Sequence, residues 1–140
     1  YLDNQLISSI KTNNKIINVV ASIYAKENGL NNCVLLNKDK MVAEFINSNI
    51  FIIKNDQIFT PTIKSGCLNG VLRSNLINIL KKSSYSISER DISTFDLTQS
   101  DEVFGTNVTQ GLFCVTNYRN KIYSNNQSQQ IIKLLNNNLS

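Results

Sequence analysis

The stretch that most restricts the fold is Ile50-Phe51-Ile52-Ile53, followed by Asn55-Asp56 and then Gln57-Ile58-Phe59. β-Branched and aromatic side chains suit a pleated, buried surface. A pair of turn residues between two such runs reads as a hairpin. A similar arrangement comes just before it, with Cys33-Val34-Leu35-Leu36, then Lys38-Asp39, then Met41-Val42-Ala43. Two successive hairpins make the sheet locally antiparallel. The single proline, Pro61, follows Thr60 and ends the last of these strands.

Helical periodicity flanks this block. Ile16, Val19, Val20 and Ile23 recur at helical spacing, and the pattern runs to about Asn28, where Gly29 provides a stop. A second helix is predicted after Gly70, with Val71, Leu72, Leu76, Ile79 and Leu80 on its apolar face. Tyr85 and Ile87 alternate with serines as in a strand, and Ser93 to Asp96 fits a capping box that opens a short helix. Glu102 to Thr106 and Leu112 to Thr116 read as further strands. Gln127 to Leu135 predicts a terminal helix, with Asn136-Asn137-Asn138 fraying behind it. The expected fold class is α+β, a curved and mostly antiparallel sheet with two main helices packed on it.

The 140 residues, 41% of them apolar, suit one domain with a real core, and no repeat or long linker divides them. The net charge of +4 does not form the basic, aromatic-lined stripe of a nucleic-acid binder. The basic residues alternate with Asp and Glu, and Lys81-Lys82 is the only tight pair, so a solvated basic surface is expected. Apolar runs fall short of the roughly 20 residues that cross a bilayer, and no charged-then-apolar leader pattern is present. Cys33, Cys67 and Cys114 are odd in number, far apart and set in apolar segments, which predicts buried reduced thiols in a cytoplasmic protein. The chain has no histidine, which excludes a Ser-His or Cys-His nucleophile pair within it and leaves no basis for a structural zinc site. Tyr1 in place of Met suggests a processed chain or a piece of a longer one. Chemistry therefore falls to lysine, carboxylates, backbone amides or a borrowed cofactor.

Four segments could carry that chemistry. Lys11 sits in Ser9-Ile10-Lys11-Thr12-Asn13-Asn14, just before the first helix, where a lone lysine is ordinarily a solvated charge. Glu44 lies between strand-like apolar runs, as a rim residue or as the partner of a buried cation such as a pyridinium nitrogen. Ser65-Gly66-Cys67-Leu68-Asn69-Gly70 leads into a helix, whose free N–H groups either face water or hold an anion such as phosphate. Thr106-Asn107-Val108-Thr109-Gln110-Gly111 is a polar turn, able to bind phosphate or simply to satisfy itself.

In this order and spacing the four segments resemble the class IV, fold type IV, pyridoxal phosphate enzymes. That group includes branched-chain and D-amino acid aminotransferases and 4-amino-4-deoxychorismate lyase. The resemblance runs from about Ser8 to Tyr123. It implies that Lys11 carries the cofactor as a Schiff base and moves protons, and that Glu44 pairs with the pyridine nitrogen. It also implies that Asn14 and Asn47 line the ring edge. The amides of Val71 and Leu72, after Gly70, would bind the phosphate, with Thr106, Asn107, Val108 and Thr109 at a second phosphate contact. Aminotransferases of this family commonly carry Thr where this chain has Leu72 and Val108. Asn69-Gly70-Val71-Leu72-Arg73 and Thr106-Asn107 look more like the lyase branch.

The resemblance thus points to a 4-amino-4-deoxychorismate lyase releasing pyruvate and 4-aminobenzoate. The alternatives are an aminotransferase for branched-chain or D-amino acids, or a non-catalytic binding domain on the same fold. It further implies that residues 1–140 are a C-terminal cofactor-binding domain acting on a small amino substrate in a homodimer, with the cofactor in the cleft facing an N-terminal domain. That domain would supply a phosphate-binding arginine and much of the substrate pocket, so the chain alone would be an incomplete site.

Overall fold

A computed structural model of the chain describes residues 16–139. Helix α1 (Ile16–Glu27) leads into a two-stranded hairpin, β1 (Val34–Leu36) with β2 (Val42–Phe45). Asn37 shapes its turn by accepting from the Asp39 and Met41 amides at 2.9 and 3.0 Å. A separate five-stranded sheet has the order β5-β4-β3-β6-β7. Its strands are β3 (Asn49–Lys54), β4 (Gln57–Thr60), β5 (Ser86–Glu89), β6 (Glu102–Asn107) and β7 (Gly111–Cys114). Every pairing is antiparallel except β4 with β5, and the fold is α+β as the sequence implied. The β3–β4 turn places Asn55 and Asp56 at φ of 50° and 62°. Both central residues are left-handed, the turn whose twist matches a two-residue hairpin.

β3 is buried on both faces, so a layer covers each side. On one side Phe51, Ile53, Ile58 and Phe104 meet helix α2 (Val71–Lys82) through Leu72, Leu76, Ile77 and Leu80. Helix α4 (Asn126–Leu139) adds Ile131 and Leu135 to the same core. Phe51 and Phe104 stack with centroids 4.9 Å apart. On the other side Ile50, Ile52 and Val103 pack against Val42, Phe45, Ile92, Leu97 and Tyr123. That layer comes from the first hairpin, the short helix α3 (Thr94–Gln99) and the segment around the small hairpin β8 (Asn117–Tyr118) with β9 (Lys121–Ile122). α3 opens with the expected capping box between Ser93 and Asp96. Burial alone would raise the Asp96 carboxyl; hydrogen bonds from the Ser93 amide, Arg90 and the Ser93 hydroxyl outweigh it and hold the group below its ordinary value.

Three expectations are corrected. The apolar stripe of α1 does not face the core, for Ile16, Val19, Val20 and Ile23 are all more than half exposed. The helix instead rests its small residues inward: Ala25 is buried and Ala21 packs on Leu35 and Ala43. Asn136 to Asn138 continue α4 rather than fray, because Ile131 and Leu135 anchor the helix and Asn138 bonds back to the Leu134 carbonyl at 2.8 Å. Of the three cysteines, which are all free thiols, only Cys67 is buried. Among the described residues no helix is long and apolar enough to cross a membrane.

Glu102 joins α4 to the sheet. It lies buried on β6, and its carboxylate accepts from the amides of Gln127 and Ser128 at 2.9 and 2.8 Å, and from the Ser128 hydroxyl. A carboxylate at the start of a helix satisfies donors that have no intrahelical partner. Glu102→Gln turns one acceptor into a donor that faces those amides. The expected loss is about 2–3 kcal/mol, the scale of hydrogen bonds to a charged group, read as a lower midpoint of urea unfolding. An unchanged midpoint would mean that apolar packing alone holds α4.

Candidate active site

β2 is buried along its whole length, and it carries a carboxylate into that setting. Glu44 is 4% exposed, and its Oε2 accepts the Leu68 amide at 2.8 Å. Leu68 lies in the loop between β4 and α2. That loop leaves the sheet at Pro61, makes one 3-10 turn over Ile63–Ser65, and reverses at Gly66. Gly66 adopts φ 94°, a left-handed conformation that glycine accepts without strain. Cys67 follows, buried, with its thiol pushed up to about 11 chiefly by burial; Glu44 adds to the rise and Arg73 opposes it. It is therefore a neutral thiol near pH 7.

The Leu68 carbonyl accepts two hydrogen bonds, from the Asn49 amide at 2.7 Å and from the Gly70 N–H at 2.9 Å. Gly70 is the N-cap of α2, with extended backbone and no side-chain cap. The first amides of α2 therefore have neither intrahelical nor side-chain partners among the described residues, which is the arrangement that receives an anion. Asn49 begins β3 and faces Thr106 of β6 across the ladder. Thr106 is 1% exposed, and its hydroxyl finds no partner among the described residues. A buried hydroxyl left unmatched is costly, and this one lies on the strand against which α2 packs.

Arg73, in the first turn of α2, is also buried. Its Nη2 donates to the Pro61 carbonyl at 2.9 Å and pairs with Glu89 at 2.6 Å. The guanidinium thereby ties α2 to the end of β4 and to β5.

The structure thus brings Glu44, Gly70 and Thr106 into one neighbourhood, linked by Leu68 and Asn49. Val71 is exposed beside them at the helix start, and Leu72 turns into the core. Asn107, Val108 and Thr109 form the β6–β7 turn. Asn107 closes it by accepting from the Gln110 amide at 2.7 Å, while Val108 and Thr109 are exposed. Asn47 is exposed in the β2–β3 turn and borders a cleft of about 870 Å3. Phe45, Phe113, Arg119 and Tyr123 also line that cleft, and neither Glu44 nor Gly70 does. Lys11 and Asn14 lie outside the described residues. Sequence reasoning gave no role to Asn49 or to the Arg73–Glu89 pair. An amide at the edge of the run Ile50 to Ile53 was the available signal for the first. An arginine in the first turn of a helix, where the dipole disfavours a cation, was the signal for the second.

Comparison with known proteins adds a family. The model of the amino-transferase class IV family matches residues 2–118. A curated relative from Aquifex aeolicus, named "Probable branched-chain-amino-acid aminotransferase", is 33% identical over 135 residues, 95% of this chain and 43% of its own length. The aminodeoxychorismate lyase of Vibrio harveyi is 30% identical over 107 residues, 76% of this chain and 40% of its own. The crystal structure of 4-amino-4-deoxychorismate lyase from Pseudomonas aeruginosa superposes with a TM-score of 0.90 at 21% identity. That match covers 99% of this chain and 52% of the other, and shows a shared fold. The chain spans about half the length of these proteins or less.

A Cβ added at Gly70 would collide with Oδ1 of Asn49, which cannot move without giving up the Leu68 carbonyl. Gly70→Ala is expected to cost about 1–3 kcal/mol, as overpacking does, measured by thermal or urea unfolding. Wild-type stability in that variant would show that Asn49 is free to turn away.

Proposed function

Because the chain belongs to the class IV aminotransferases, a family of pyridoxal phosphate-dependent enzymes, we propose that it forms the C-terminal, cofactor-binding part of a 4-amino-4-deoxychorismate lyase. The observation that carries this reading is the pairing of a buried carboxylate with an uncapped helix start and an unmatched hydroxyl. Glu44, the α2 amides and Thr106 are suited to a group that is cationic at one end and anionic at the other.

In this reading Glu44 meets the pyridine nitrogen and keeps its proton in place. The amides of Val71 and Leu72 hold the phosphate, with Gly70 as the N-cap of α2 and Thr106 offering its hydroxyl. Asn107, Val108 and Thr109 border the phosphate from the β6–β7 turn, while Asn14 and Asn47 lie along the ring edge. Lys11 would hold the cofactor through its Nζ and take the proton from the substrate carbon that bears nitrogen; that loss is balanced by the proton the departing enolpyruvyl group gains as it becomes pyruvate. When bound, pyridoxal phosphate supplies an electron sink for the carbanion. The overall reaction balances without water or a redox partner: the substrate loses one ring proton and its enolpyruvyl group, which leaves as pyruvate, and the ring becomes 4-aminobenzoate.

Asn69-Gly70-Val71-Leu72-Arg73 and Thr106-Asn107 favour the lyase over transamination, as does the resemblance to the Vibrio harveyi lyase. A branched-chain aminotransferase is the second reading, favoured by the match to the Aquifex aeolicus relative over 95% of this chain. Both begin with the same proton abstraction. A homodimer with an N-terminal domain completes the site in either case.

The test is the visible absorbance of the chain, and of a longer form carrying the N-terminal domain, on addition of pyridoxal phosphate. A band present in the wild type and lost in Lys11→Ala is expected. Assays for 4-aminobenzoate and for keto acid then separate lyase from transaminase. A longer form with no band would overturn the enzyme reading in favour of a binding domain.

A further inference from the structure

Three groups meet at the backbone of Leu68. Its N–H donates to Glu44, and its carbonyl receives both the Asn49 side-chain amide and the Gly70 N–H. Glu44 stands at one end of this network and the start of α2 at the other. Asn49 is the only side chain bonded to the carbonyl among the described residues, and it is 5% exposed. Its two polar atoms have separate tasks. Nδ2 holds Leu68, while Oδ1 fills the space beside Gly70 that any Cβ would need. Its ladder partner is Thr106, whose buried hydroxyl has no partner among the described residues.

We propose that Asn49 is a positioning residue that couples the two ends of the cofactor site. By anchoring the Leu68 carbonyl it restrains the residue whose amide bonds Glu44. By the same bond it sets the path through Gly70 into α2, and so where the helix amides point. The inference rests on the cofactor reading above but adds to it: ring end and phosphate end are not independent, because one residue's backbone serves both. A polar side chain buried among such bonds has no room to relax, and losing its donor leaves a carbonyl short of a partner.

Asn49→Asp keeps the shape and replaces the donor with an acceptor facing the Leu68 carbonyl. Two probes read the two ends separately. Pyridoxal, which lacks the phosphate, reports the ring end through its visible band; inorganic phosphate, in competition with pyridoxal phosphate, reports the anion end. The expected result is at least tenfold weaker binding of both probes, equal to about 1.4 kcal/mol or more for each. Ser100→Ala serves as a control, for it removes a buried hydroxyl that bonds the Asp96 carbonyl at 2.6 Å outside the site. It is expected to lower the unfolding midpoint and leave both affinities unchanged.

A merely structural Asn49 would behave like that control, and the proposal would be wrong. Weakening of one probe alone would also overturn it, since the ends would then be independent. Should Asn49→Asp not fold, Asn49→Ser removes the same reach without adding charge and carries the same expectation. A wild type that takes up no pyridoxal phosphate sinks the cofactor reading itself, whereas normal wild-type uptake with an unaffected variant sinks only the coupling.

Discussion

Strand β3 must be sheathed on both faces and paired on both edges, and most of the molecule answers that requirement. Ile50 and Ile52 point to one side, Phe51 and Ile53 to the other, and all four are fully buried. A strand of this kind cannot stand at a sheet edge or face water. β4 and β6 pair with its edges, α2 and α4 cover one face, and the first hairpin with α3 covers the other. Gly105 belongs to the same requirement, since the ring of Phe113 on β7 lies where a Cβ would be. The first residue of β3 is Asn49, where the apolar run gives way to the polar network. The site therefore begins where the core ends, and a displacement of β3 would move both.

Much of this was legible because periodicity and turn chemistry are local. The two hairpins, the capping box at Ser93 and the helix after Gly70 all follow from short stretches read alone. What escaped depends on partners distant in sequence. The stripe on α1 identifies an amphipathic helix but not what it should touch, and Ala21 and Ala25 make the contact instead. The three asparagines after Leu135 favour fraying on propensity, yet anchoring by Ile131 carries the helix past them. The hairpin β8–β9, with two residues per strand and a left-handed Arg119, offers no repeating pattern to detect. For the site, a motif names Glu44 and Gly70 but says nothing of the Leu68 backbone that joins them, because backbone atoms leave no mark in a sequence.

The residues that depart from the aminotransferase pattern can be weighed in the same terms. Leu72 is 8% exposed and packs with Phe51, Leu76 and Phe104. At that position the chain trades a hydroxyl for apolar burial, on the scale of 1.5–3 kcal/mol for a side chain of that size. The backbone amide at the same position is untouched. Val108 is 71% exposed at the tip of the β6–β7 turn and gains no such burial. The two substitutions therefore differ in kind. One is compensated within the domain, while the other leaves an apolar side chain on a surface beside a turn closed by hydrogen bonds between Asn107 and Gln110.

The charge balance at the start of α2 completes the argument. A cation in the first turn of a helix opposes the dipole, yet Arg73 is there and buried. Its Nη2 is engaged by Glu89 and the Pro61 carbonyl, which braces β4, β5 and α2, while its buried Nε finds no partner among the described residues. Removing the brace from either side would not be symmetrical. Glu89 is 37% exposed and could be solvated alone, whereas Arg73 would be left as a buried charge without a counter-charge. With the Arg73 Nη2 so engaged, an anion at this helix start would rely chiefly on amide dipoles and the Thr106 hydroxyl. Those groups orient a phosphate well but neutralise little of its charge.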